Sequence, residues 1–193
     1  EWRLPDDRPI IILPGRLTRW KGQTVFIQAI KNLNRKDIQC LMVGSDQGRE
    51  DYRLELERQI ESYGMQNIIH VVDHCDDMPA AYMLTDVVVS ASTDPEAFGR
   101  VVVEGQALGR PVIGTNHGGS KETIVEGETG WLAEPNDPDS LAEALTKVLG
   151  LSEEQRVKVA ERAIGHIRMH YSKEIMCAKT LDVYNELIAG DAA

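Results

Sequence analysis

Short runs of β-branched and aliphatic residues alternate along this chain with longer stretches in which apolar positions recur every three or four residues. That alternation is the sequence form of a parallel sheet covered by helices on both faces. The pattern predicts six strands: Pro9 to Leu13, Ile38 to Val43, Asn67 to Val72, Asp86 to Ser90, Pro111 to Gly114 and a shorter Gly130 to Ala133. Each is brief and nearly all apolar, as a strand buried on both faces has to be. Between them, Gln23 to Asn34 carries Val25, Phe26, Ala29, Ile30 and Leu33 at helical spacing, and Asp51 to Tyr63 carries Tyr52, Leu56, Ile60 and Tyr63. Further on, Asp137 as N-cap, Pro138 at the first helical position and Gly150 as a stop bracket another helix. The spacing of Ser152 and Gln155 gives a capping box for a helix running to about Ile167. A last helix, roughly Ser172 to Ile188, lines up Ile175, Ala178, Leu181, Tyr184 and Ile188 on one side, with no evident partner in the chain.

The elements make one α/β domain, a doubly wound, mostly parallel, Rossmann-like sheet. Its 193 residues, 42% of them hydrophobic, suffice for one real core. A formal charge of −10 disfavours nucleic acid as a partner, since counterion release would need a strong local basic patch and none is present. Cys40, Cys75 and Cys177 are odd in number and scattered, which fits neither a disulfide framework nor a zinc site and is simplest in a reducing cytosol. No stretch approaches the roughly 18 apolar residues of a membrane span, and EWRLPDDRP lacks the features of a signal peptide. A soluble, cytoplasmic protein is the expectation. Residues 1–8 read as a connecting segment.

In a doubly wound sheet, ligands bind at the carboxyl ends of the strands near the topological switch point. The loops to inspect are therefore those after the first four strands. In GRLTRWKG, Gly15 allows a sharp exit from the strand, and Arg16 and Lys21 bring two cations to the start of a helix. Such a crowd becomes favourable around a phosphate, where helix-terminal N–H groups add to the charges. The alternative is that Arg16, Arg19 and Lys21 are solvated or pair with the chain's surplus carboxylates. The spacing is neither a Walker loop nor GxGxxG.

The stretch PEAFGRVVVEG supplies a second half. With a helix starting near Gly99, Glu96 lies in the loop ahead of it, and Glu104 lies about one and a half turns inside, on the side of Arg100 and Val101. That helix reads as apolar nearly all round and hence buried. A carboxylate inside it needs donors, from the protein as an internal salt bridge or from the hydroxyls of a ligand. Asp73, His74 and Cys75 follow the third strand; consecutive residues converge poorly on a metal, and Asp76 or Asp77 reads as a helix cap ahead of Pro79. Gly118 and Gly119 read as a turn, with His117 as an exposed loop histidine or a rim residue.

Several of these segments together resemble the donor-binding half of GT-B glycosyltransferases, in the large retaining family known as glycosyltransferase family 4 or "glycosyl transferases group 1". The pattern GRLxxxKG is present from Gly15 to Gly22, and the paired-glutamate signature E-x7-E as Glu96 and Glu104 with Phe98 and Gly99 between. The stretch GRPVIGTNHGGSKETIVEGETGWLAEPNDPDSLAEAL also resembles the family's, and the likeness runs from about residue 9 to 190.

The resemblance implies that Arg16 and Lys21 hold the diphosphate of a nucleotide sugar and stabilise the leaving charge without a metal or other cofactor. It also implies that Glu104 accepts the ribose hydroxyls and that Glu96 meets a hydroxyl of the donor sugar. Backbone N–H groups around Phe98, Gly99 and Arg100 then approach sugar and phosphate, Gly15 opens the substrate-binding loop, Gly44 allows close approach of the nucleotide, and Asp73, His74 and Cys75 lie where the base is read. Only the second of the family's two domains is represented. Residues 1–8 then resemble a cut interdomain linker, 9–170 the donor domain, and 171–193 a helix crossing back to the absent N-terminal domain. The implied enzyme transfers a hexose to an acceptor hydroxyl in glycan, lipopolysaccharide or glycolipid synthesis. Its acceptor, a glycan or a lipid-linked molecule, enters through the missing half, possible peripheral contact with the inner face of a membrane is made by the full-length enzyme, and the isolated piece binds nucleotide weakly and catalyses little. Outside that resemblance stand a non-catalytic phosphate- or nucleotide-binding flavodoxin-like module and another GT-B enzyme such as a nucleotide-sugar epimerase. A receiver-like module would carry acids after its first strand, where this chain has Gly15 and Arg16; an epimerase should lack the glutamate pair.

Overall fold

A computed structural model describes residues 2, 4, 5 and 7–190. Six parallel strands, β1 (Ile10–Pro14), β2 (Gln39–Val43), β3 (Ile69–Val72), β4 (Val87–Val89), β5 (Val112–Thr115) and β6 (Trp131–Ala133), form one sheet in the order β3-β2-β1-β4-β5-β6. The chain therefore winds outward from β1 to β3, returns to the centre, and winds the other way from β4. The switch point lies between β1 and β4.

Strand residues alternate between two cores. Ile11 and Leu13 of β1, with Cys40, Met42, Val87 and Val89, face α1 (Gln23–Leu33), α2 (Glu50–Ser62) and α6 (Pro138–Leu149), whose Phe26, Ile30, Leu56 and Leu145 are fully buried. Ile12, Leu41, Val88 and Val112 point the other way and meet Tyr82 of α3 (Met78–Met83) and Val102 of α4 (Arg100–Ala107), behind which α7 (Glu153–His170) packs. Burial on both faces is the reason the strands carry no polar alternation.

Of the two acids expected to cap a helix ahead of Pro79, Asp77 does so: its carboxylate accepts the Ala80 N–H at the start of α3. One short helix departs from the sequence reading. Gly118 and Gly119 open α5 (Gly118–Thr123) rather than forming only a turn. A side chain on Gly119 would begin 2.3 Å from the Phe98 carbonyl oxygen, and its N–H donates to the Glu96 carbonyl, so the glycines let α5 lie directly under the loop that carries Glu96. The expected caps hold: Asp137 accepts from Asp139 and Ser140, and Ser152 with Gln155 makes the capping box of α7, which runs on to His170.

The final helix, α8 (Lys173–Gly190), is exposed from Met176 onward, with Leu181, Tyr184, Leu187 and Ile188 uncovered. Of the connecting segment expected over residues 1–8, positions 1, 3 and 6 lie outside the described residues, as do 191–193 of the segment expected to cross to a second domain. No helix among the described residues is long and apolar enough to cross a membrane.

Candidate functional site

The loops leaving β1, β2 and β3 and the start of α4 enclose a cleft of about 360 Å³, within the range of small-ligand sites. Of the residues singled out in the sequence, Gly15, Arg16, Gly44, His74, Cys75, Arg100 and Glu104 line it, together with Tyr82. A larger cavity of about 600 Å³ lies between the segment around Trp2 and α3. Its lining holds none of Arg16, Lys21, Glu96 and Glu104, so volume is a poor guide to the chemistry here.

The chain bends into the first loop at Gly15, where a side chain would begin 3.4 Å from the Lys21 Cδ; the lysine stem thus packs against Gly15, while Lys21 and Glu96 themselves do not line the cleft. Gly44 is required by packing rather than by access: a Cβ there would lie 2.0 Å from the Gly15 carbonyl oxygen. The loop backbone is held by Gln23, wholly buried, whose Nε2 donates to the Arg16 carbonyl at 2.9 Å while Tyr52 donates to its Oε1. Nothing in the sequence marked Gln23 as other than a helix residue.

The three cations of this loop have different partners. Arg19 forms a two-pronged, exposed pair with Glu55, the outcome in which surplus carboxylates absorb the charge. Lys21 Nζ lies 2.8 Å from Glu96 Oε1 and 4.4 Å from the Trp20 ring centroid. Arg16 is exposed at the mouth of the cleft, and no carboxylate among the described residues pairs with it.

Glu96 is held on several sides. Ser92 and Ser90 hydroxyls donate to the same carboxylate oxygen that meets Lys21. Burial alone would push this carboxyl up, but the Lys21 ammonium and the two hydroxyls outweigh it and hold the group below the ordinary carboxylate range. Its loop ends at Gly99, which caps α4 in the left-handed conformation at φ 78°. The N–H groups of Phe98, Gly99, Arg100 and Val101 have no acceptor among the described residues and open toward the positive end of the α4 dipole. Phe98 itself is exposed and stands against the Tyr171 ring, 5.9 Å between centroids.

Glu104 is less buried than its apolar surroundings in the sequence suggest, because Arg100 and Ala107 on the same helix are exposed. Its side chain is 36% exposed, and its donors come from the protein: Arg100 Nη2 at 2.8 Å and Nε at 3.1 Å on Oε1, and the Tyr82 hydroxyl at 2.9 Å on Oε2. The internal salt bridge weighed for it therefore exists.

After β3, His74 and Cys75 reach the cleft, but Asp73 does not line it; its carboxylate is taken by Arg53 at 2.6 Å. The His117 Nε2–H donates to the Ser92 carbonyl, 2.9 Å away, bracing the Glu96 loop. Among the described residues no three His, Cys, Asp or Glu side chains converge as a metal ion would need.

Comparison with known proteins follows the same outline. The family described as "Glycosyl transferases group 1" matches residues 1–166. The chain is 30% identical to a D-inositol 3-phosphate glycosyltransferase of Corynebacterium glutamicum over 99% of its own length and 46% of the relative's. It superposes on a glycosyltransferase of Rickettsia africae with TM-score 0.90 and 35% identity, covering 95% of this chain and 49% of that one. It also superposes on Anabaena HepE in complex with UDP-glucose, with TM-score 0.83 and 28% identity over 92% of this chain and 49% of that one. The chain thus spans about half the length of the relatives it matches.

Proposed function

The chain belongs to the glycosyl transferases group 1 family, and we propose that within it this domain binds a nucleoside-diphosphate sugar, from which the full-length enzyme transfers a hexose to an acceptor hydroxyl with retention of anomeric configuration. The observation that carries this reading is the convergence, in one cleft at the switch point of the sheet, of an arginine with no carboxylate partner among the described residues, a helix N-terminus whose N–H groups have no acceptor among them, and an anchored carboxylate. The first two suit a diphosphate and the third suits a diol. That a relative of the same fold binds UDP-glucose supports it.

In this reading Arg16 and the N–H groups of Phe98, Gly99 and Arg100 grip the diphosphate, and Lys21 shares its charge between Glu96 and the phosphates. As the bond from the anomeric carbon to the phosphate oxygen breaks, charge grows on that oxygen, and these fixed donors stabilise the growth with no reorganisation and no metal. Glu96, kept ionised by Lys21 and the two serines, accepts from a hydroxyl of the donor sugar. Glu104 takes the ribose hydroxyls, and the base lies toward His74 and Cys75. The acceptor, a glycan or lipid-linked molecule, is met by the part of the full-length enzyme outside this chain, on which the uncovered apolar side of α8 packs. Alone, this chain binds nucleotide weakly and turns over little.

Calorimetry with UDP, GDP and ADP and their sugars, on the wild type and on Arg16→Ala and Glu104→Ala, tests the reading. Binding of one diphosphate that weakens at least about tenfold in each variant supports it. No binding at millimolar concentration, or binding that both variants leave unchanged, sinks it.

A further inference from the structure

We propose that Tyr82 is a positioning residue for ribose recognition, its hydroxyl clamping the Glu104 carboxylate so that the carboxylate can meet a vicinal diol and reject a sugar that lacks one. The inference rests on the nucleotide-sugar reading of the cleft. Tyr82 lies on α3, which packs on the sheet face opposite α1, and is only 2% exposed. Its backbone is pinned as well, since the Thr85 N–H and hydroxyl both donate to the Tyr82 carbonyl.

The two donors on Glu104 differ in stiffness. The Arg100 side chain is 83% exposed and one turn away on the same helix, a weak surface pairing that is easily vacated. Tyr82 reaches in from another element with a buried ring that cannot swing away. Rotation about the last torsion of a glutamate is otherwise soft and roughly two-fold. With Oε2 tied to Tyr82 at 2.9 Å, the plane of the carboxylate is fixed.

The acceptor count is consistent with a diol. An ionised carboxylate has about four acceptor positions. Tyr82 takes one on Oε2 and Arg100 converges on Oε1, so one position on Oε2 remains and Oε1 is released when Arg100 moves into solvent or onto a phosphate. Two hydroxyls on adjacent carbons then meet the two oxygens. Burial, reinforced by the Glu104 charge, pushes the Tyr82 phenol well above its ordinary range, so it keeps its proton and donates it to the carboxylate.

The test measures affinity by calorimetry for whichever of UDP, GDP and ADP the wild type binds most tightly, and for its 2′,3′-dideoxy analogue, in wild type, Tyr82→Phe, Glu104→Ala and the double variant. Circular dichroism melts check the fold of each. The expected result is a loss of about fivefold to tenfold for the ribonucleotide in Tyr82→Phe, as one charge-assisted hydrogen bond carries, with the dideoxy affinity unchanged and the double variant no weaker than Glu104→Ala. An equal loss for both ligands, or a loss that persists without Glu104, overturns the positioning role. So does a Tyr82→Phe protein that binds the ribonucleotide as the wild type does. Wild type that binds none of the three diphosphates overturns the nucleotide-sugar reading itself, and the role of Tyr82 with it.

Discussion

Lys21 Nζ and Glu96 Oε1 stand 2.8 Å apart with side chains only 13% and 14% exposed, joining the loop after β1 to the loop before α4 across the switch point of the sheet. Each residue is the other's main counter-charge, so removing one leaves a charge largely desolvated. Lys21→Met and Glu96→Gln should each destabilise by about 1–3 kcal/mol in urea unfolding, while the double variant should cost less than the sum. The carboxyl of Glu96 is held below its ordinary range in the folded chain, so the unfolded chain binds the proton first as pH falls. Its stabilising contribution is therefore full near neutrality and lost as pH drops from about 4.5 through the lower folded value. Glu96→Gln should flatten that part of the acid-unfolding curve.

Two histidines give a separate dependence nearer neutrality. His70 and His166 are both pushed below the ordinary imidazole value by burial, His166 also by the neighbouring His170 ring. Below about pH 6.5 the unfolded chain takes up protons that the folded chain refuses, so stability should decline as pH falls through that value and level off below the folded ones. Urea midpoints at about pH 7.5 and about pH 5.5 should differ in the wild type and differ less in His166→Gln.

The two glycines of the segment after β2 should respond very differently to alanine. At Gly44 the new Cβ would lie 2.0 Å from the Gly15 carbonyl oxygen, a backbone atom at the base of the cleft. Gly44→Ala should cost about 3 kcal/mol or more, or prevent folding. Gly48 has φ +80° but open space around it, so Gly48→Ala should cost only about 1–2 kcal/mol, the strain of a left-handed residue. Thermal melts of the pair separate close approach from conformational cost.

Most of the architecture could be read from the chain before any coordinate. Strands buried on both faces are short and uninterrupted, and Asp137 with Pro138 and Ser152 with Gln155 announce their helices through side-chain chemistry that works locally. Helices α3 and α5 have six residues each, too few for a period to emerge; α3 is announced only by its aspartate cap ahead of Pro79, and the glycines that open α5 read as a turn. The candidate site was legible where its residues have a chemical signature, as at Arg16, Lys21 and the two glutamates. It was not legible where a residue acts by holding another. Gln23, Tyr82, Ser90 and Ser92 are ordinary helix or loop residues until the fold brings them to Arg16, Glu104 and Glu96. Nor could sequence tell how much of Glu104 its neighbours cover.

Cys75 offers a chemical reporter on the cleft. It is half-buried and lines the cleft, whereas Cys40 is sealed in the core with its thiol pushed up by burial, and Cys177 is exposed on α8. Alkylation by iodoacetamide, followed by mass spectrometry of peptides, should reach Cys177 and Cys75 but not Cys40. A saturating nucleoside diphosphate should slow Cys75 severalfold and leave Cys177 unaffected.

Crystals of this chain soaked with the best-binding nucleotide sugar give the most direct test of the central claim. The account predicts the diphosphate between Arg16, Lys21 and the free N–H groups of Phe98 to Arg100, with the ribose on Glu104 and the sugar toward Glu96. Density for the nucleotide in the cavity beside Trp2 and α3, or anywhere else, with Arg16 turned to solvent and Glu104 still joined only to Arg100 and Tyr82, would contradict it.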